Sequence, residues 1–139
     1  MIVEQFLLAG FTLAADRVSK AWAGRLRAGE VVAMGSWLRI RLVMTRFPHR
    51  GLTGSRLLLV LLWLVALGGF VLAVRTGHFF QTPTAQMGLG AALAGSASNL
   101  YDRLERGAIV DFLDVGWWPV FNIADVAITL GIAVGLWFL

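Results

Sequence analysis

Two aspartates, Asp111 and Asp125, stand near the edges of apolar runs, and neither has an obvious basic neighbour in sequence. Two carboxylates that share one partly dry site do not both ionise: one keeps a proton while the other is a base. Such a pair can activate water against a peptide carbonyl and later protonate the leaving amine. Spacing alone leaves a second reading open, in which these acids cap helices or pair with Arg103 and Arg106. Asp114, three residues beyond Asp111, could substitute for it but reads as an exposed loop acid.

Other polar residues cluster at helical spacing. Asn99, Asp102 and Arg103 lie at i, i+3, i+4 and share one helix face, and Asn122 and Asp125 repeat the i, i+3 pairing. Asp16 and Lys20 are i, i+4 with the acid first, the better orientation for an intrahelical ion pair. That pair would neutralise two costly charges and fix the first helix against its neighbours.

The rest of the chain says where these groups sit. Of its 139 residues, 58% are hydrophobic and 14% charged, where a soluble domain carries about 25% charged residues. The absence of cysteine excludes disulfides and a thiolate nucleophile, and His49 and His78 alone make a metal site improbable. The net charge of +4 comes without a basic domain or stacking platform for nucleic acid, so anionic lipid headgroups are the better partner for the arginines.

The apolar runs predict one integral membrane domain over 1–139, with spans at about 2–22, 57–75, 83–103 and 118–139. Residues 57–74 carry no charge, Thr82 and Pro83 make a helix start, and the small residues of "GLGAALAGSAS" allow close helix contact. "GIAVG", 131–135, has the spacing of a packing motif. The first span lacks a basic leader region and a cleavage site, and is expected to be retained. Four spans put both termini on one side. At 1.5 Å per residue, Asp16, Asn99 and Asp125 then lie roughly 22, 24 and 21 Å from that face. The polar residues therefore converge in one layer. Residues 21–56 form a long segment beyond it, where "WLRIRLVM" alternates: Leu38, Ile40, Leu42 and Met44 on one strand face, Arg39 and Arg41 on the other. Residues 104–117 form a shorter loop on the same side.

These motifs resemble the lipoprotein signal peptidase (signal peptidase II) family. "GSASNLYDRL" is similar to its G-x-x-x-N-x-x-D-R motif, "IVDFLDV" to its V-D-F segment, "WPVFNIADVAI" to its F-N-x-A-D-x-x-I motif, and "DRVSK" to its D-x-x-x-K element. The resemblance covers all four spans. It implies an all-α four-transmembrane-helix bundle with a small β-cradle in the first extramembrane segment. It also implies an aspartic endopeptidase that cuts prolipoproteins before the diacylglyceryl-cysteine, with no metal or cofactor. By motif, Asp111 and Asp125 would be catalytic. Asn99, Arg103 and Asn122 would line the substrate site, with Asp16, Lys20 and Asp102 in support. Diacylglyceryl prolipoproteins and membrane lipids would be the partners of a monomeric chain in the bacterial inner membrane, its site facing the extracytoplasmic side.

The chain departs from the family at 45–55, "TRFPHRGLTGS", which lacks the family's asparagine before the second span and puts substrate selection in question. It also ends without the basic tail many relatives carry. Seven arginines between Arg25 and Arg56, with Arg103 and Arg106, would place the loops in the cytoplasm by the positive-inside rule, against the family's orientation. The motifs weigh more, since a cytoplasmic dyad would not meet its substrate. Two rivals remain: a family-derived protein that binds lipopeptide or peptide antibiotic without turnover, and a small proton-coupled transporter.

Overall fold

The computed structural model describes residues 2–27, 29–46, 56–77 and 79–139; His49, His78 and most of the 45–55 segment lie outside them. In chain order the elements are α1 (Ile2–Ala23), β1 (Val31–Ala33), β2 (Arg39–Arg46), α2 (Arg56–Thr76), α3 (Pro83–Arg106), β3 (Ala108–Asp114) and α4 (Ile123–Trp137). Among the described residues one helix, Arg56–Thr76, is long and apolar enough to cross a membrane, and Ile123–Trp137 is a shorter apolar helix.

The helix ends follow local chemistry. The Thr82 hydroxyl accepts the Ala85 N–H at 3.1 Å, and Pro83 occupies the first turn of α3, where no amide hydrogen is needed. Gly107 closes that helix in the left-handed region, φ 69°, its N–H donating to the Arg103 carbonyl. The last helix begins at Ile123 rather than near Trp118. Asn122 and Asp125 form a reciprocal capping box there, leaving 115–120 irregular.

α3 and α4 approach closely because glycines face each other. A Cβ on Gly88 would stand 2.7 Å from the Gly131 carbonyl oxygen, and one on Gly95 would stand 2.6 Å from that of Ala124. Gly131 and Gly135 of the "GIAVG" motif lie buried against Gly88, Ala92 and Leu89, which is the packing role the spacing suggests.

The sheet is antiparallel, in the order β1-β2-β3. It corrects the expectation that strands are confined to the first extramembrane segment, since β3 comes from the loop expected over 104–117. "AIVDFLD" becomes a strand because β2 supplies its backbone partners, and Phe121 takes up part of its other edge by exchanging hydrogen bonds with Leu113. A bulge also reverses the alternation read in "WLRIRLVM". Ile40 opposes Leu113 and Val43 opposes Asp111, so Arg41 and Leu42 together face Phe112 alone. Beyond it Met44 is exposed, while Val43 and Thr45 turn to the face that carries Asp111. Ala23, Ile40 and Phe112, with Leu26, Leu113 and Ile123, form the small core that seats the sheet on the ends of α1 and α4.

Candidate active site

The site lies where that sheet meets α1, α3 and α4. Asn122 is its hub. Its side-chain Nδ2 donates to Asp111 Oδ1 at 2.7 Å, with longer contacts to Asn99 Oδ1 at 3.1 Å and the Val110 carbonyl at 3.2 Å. Its backbone N–H donates to Asp125 Oδ2 at 3.1 Å, and its Oδ1 accepts the Asp125 N–H at 2.9 Å. Asn99 Nδ2 reaches across from α3 to Asp125 Oδ1 at 2.8 Å. Asp111 is buried and also accepts the Thr45 hydroxyl, while Asp125 is half-buried.

Burial pushes the Asp111 carboxyl above the usual carboxylate range. The Thr45 hydrogen bond opposes this, the Asp125 charge adds to it, and Asn122 and the more distant Lys20 pull it down. A carboxyl so placed is suited to hold a proton.

Behind the two acids lies a layer of paired charges. Lys20 Nζ contacts Asp16 Oδ2 at 2.6 Å, Asp102 Oδ2 at 2.7 Å and Asn99 Oδ1 at 2.8 Å. Arg17 Nη1 holds Asp102 Oδ1 at 2.5 Å, and its guanidinium sits 4.4 Å over the Tyr101 ring. Asp16 accepts the Ser98 hydroxyl at 2.6 Å and, through Oδ1, the backbone N–H of Ala124 at 2.8 Å. The structure thus brings together Asp16, Asn99 and Asp125, which the depth count put in one layer, and Lys20, which spacing paired with Asp16. Asp102 joins them by its bonds to α1, across the helix pair. Arg103 is half-buried near the end of α3.

Sequence reasoning missed Thr45, Ser98 and Arg17. Ser98 and Arg17 adjoin motif residues, but only the tertiary fold shows what they bind, and Thr45 needed the bulge. Asp114 was misread: it is buried at the end of β3, paired with Arg41 Nε at 2.7 Å and Arg39 Nη2 at 3.2 Å, and accepts the Gly116 N–H at 2.8 Å. Those bonds lower its titration, the Gly116 bond most. It braces the sheet and the turn after β3 rather than facing the acid pair. An open groove of about 440 Å³ runs beside Asp125, lined by Trp117, Trp118, Phe121, Val126 and Leu130 among others. Among the described residues no cluster of metal-ligating side chains is found.

The arrangement of a helical bundle with a small sheet at one end occurs in solved structures. Two solved structures, each titled a bacterial membrane enzyme determined by the in meso method, superpose with TM-scores of 0.83 and 0.81. At 24% and 23% identity they cover 98% and 96% of this chain, and 92% and 85% of their own, which establishes the shared fold. Residues 8–139 match the family model described as signal peptidase (SPase) II, and the chain belongs to that family. A lipoprotein signal peptidase of Rhodococcus jostii is 39% identical over 134 residues, spanning 91% of this chain and 67% of the relative. One from Syntrophomonas wolfei is 34% identical over 122 residues, spanning 84% and 78%.

Proposed function

We propose that the chain is a membrane aspartic endopeptidase that cuts the signal peptide of prolipoproteins before the diacylglyceryl-cysteine, with Asp111 and Asp125 as its reacting carboxylates. The observation that carries the assignment is the double grip of Asn122: one residue donates to both acids, from its side chain to Asp111 and from its backbone to Asp125. Family membership supplies the reaction class.

Asp125 accepts two N–H donors in the first turn of α4, where negative charge is favoured, and serves as the base. Buried Asp111 holds the shared proton and polarises the scissile carbonyl. Water gives a proton to Asp125 as its oxygen bonds the carbonyl carbon. The C–N bond then breaks, and the proton taken by Asp125 passes to the amine of the lipid-bearing cysteine. The apolar groove beside Asp125 suits the hydrocarbon that accompanies such a substrate.

The same reading makes all four helices spans of one domain in the bacterial inner membrane. The sheet and the acids then face the extracytoplasmic side, and the exposed arginines near the sheet meet headgroups or substrate. Asn99 and Asn122, with Arg103 nearer the surface, line the substrate site; Asp16, Lys20 and Asp102 support it.

The test is cleavage of a synthetic diacylglyceryl-cysteine prolipopeptide by purified protein in detergent, beside Asp111→Asn and Asp125→Asn. Each substitution lowers turnover by roughly 10²–10⁴-fold while the protein still inserts. Binding of the lipopeptide by wild type without turnover would replace this reading with that of a non-catalytic binding protein.

A further inference from the structure

Lys20 is the only lysine in the chain; the other eleven basic side chains are arginines. It is 1% exposed, and its ammonium lies between the carboxylates of Asp16, at 2.6 Å, and Asp102, at 2.7 Å, while its hydrogen bond goes to Asn99 Oδ1 at 2.8 Å. The two carboxylates neutralise it. With Arg17 on the other oxygen of Asp102, two cations face two carboxylates, and the charge balance closes without Asn99. The bond to Asn99 is additional, and Asn99 is the residue whose Nδ2 touches Asp125.

An asparagine amide presents oxygen on one side and N–H on the other, so whatever binds its oxygen decides what its nitrogen faces. Asn99 Oδ1 is held by Lys20 at 2.8 Å and by Asn122 Nδ2 at 3.1 Å. The Asn122 nitrogen divides two hydrogens among three acceptors, Asn99 Oδ1, the Val110 carbonyl and Asp111 Oδ1, and is closest to Asp111. Lys20 is therefore the stronger hold. With the amide reversed, oxygen would face the Asp125 carboxylate.

We infer that Lys20 is a positioning residue of the reaction: acting through Asn99, its ammonium keeps an N–H aimed at Asp125 and fixes the orientation of that carboxylate. The inference rests on Asp125 being a reacting group, as proposed above. It also accounts for the residue type. Two carboxylates and one amide oxygen from α1 and α3 converge on one point, which suits a compact point charge and not the planar fork of arginine.

The chain has two asparagines, Asn99 and Asn122, so protein labelled with ¹⁵N-asparagine shows two side-chain amide signals, assigned by substituting each in turn. Full-length protein in detergent is compared as wild type, Lys20→Met, Lys20→Arg and Gly131→Ala, the last destabilised at a site remote from the acids. Lys20→Met and Lys20→Arg are expected to move the Asn99 amide signal. Each also lowers kcat on the prolipopeptide about tenfold or more with KM little changed, the pattern of an interaction made at the reacting group. Gly131→Ala lowers the unfolding temperature without moving either amide signal or the kcat of the folded protein. Should Lys20→Met fail to fold, Lys20→Arg keeps the charge and carries the test. Wild-type kcat in a folded Lys20 variant, or an unmoved Asn99 signal, overturns the inference. If Asp125→Asn is active, the reading of the acid pair falls first; if it is inactive while the Lys20 variants work normally, only the role of Lys20 falls.

Discussion

α2 and α3 are neighbours of similar length, 21 and 24 residues, built on opposite principles. α2 is apolar around its whole circumference, and none of its residues is buried among the described ones. α3 is far less apolar, yet Ala85, Gly88, Ala92, Ala94, Gly95, Ser98, Asn99 and Asp102 are all buried. In water the apolar helix would be the central one. Here the greasy helix lies outside, and the helix of glycine, alanine and polar side chains forms the centre and carries part of the site. The difference follows from the solvent: lipid gives apolar side chains no reason to cluster, so small residues and interhelical hydrogen bonds choose the core.

The sharpest way to break this comparison is to enlarge one glycine of α4 that packs against α3 and one of α2. Gly131→Leu, at the α3–α4 contact, should destabilise by about 1–3 kcal/mol or more, read as a loss of unfolding temperature in detergent. Next is Trp63→Phe. The Trp63 indole N–H donates to Ser96 Oγ at 3.0 Å and makes a longer contact with the Leu93 carbonyl, a direct polar tie from α2 to α3. Its removal should cost about 0.5–1.5 kcal/mol and loosen α2 selectively, seen as faster labelling of a cysteine introduced into that helix. Gly68→Ala should be harmless, since a Cβ there meets nothing within 4 Å, and should gain about 0.5–1 kcal/mol of helix stability. The smallest effect belongs to Asp114, whose titration is lowered by Gly116, Arg41 and Arg39. Its contribution is present above about pH 3.9, the unfolded value, and is lost as pH falls through the lower folded value. Asp114→Asn should flatten that acid limb in thermal melts.

Much of the centre was legible because helices convert spacing into position. Counting rise per residue brought Asp16, Asn99 and Asp125 to one depth, and i, i+4 spacing paired Asp16 with Lys20. Capping remained an open alternative for Asp125, and the structure shows it capping α4 while also reaching Asn99. What escaped was non-local. Nothing within "AIVDFLD" says that β2 will pair with it, so β3 read as loop and Asp114 as an exposed acid. The bulge at Arg41 and Leu42 depends on what lies across the sheet, and without it Thr45 has no reason to face Asp111. Spacing put Asp102 on one helix face with Asn99 and Arg103, but could not show that its charged contacts, Arg17 and Lys20, come from another helix.

The bond from Asp16 to the Ala124 N–H has a consequence in time. Asp16 belongs to α1 and Ala124 to α4, 108 residues later in the chain, so the start of α4 lacks this acceptor unless α1 is already in place, and α1 keeps a bare carboxylate oxygen until α4 arrives. The acid pair is likewise incomplete until Asp125 has been translated. The contact that seats α4 is thus also the one that closes the bundle around its charges.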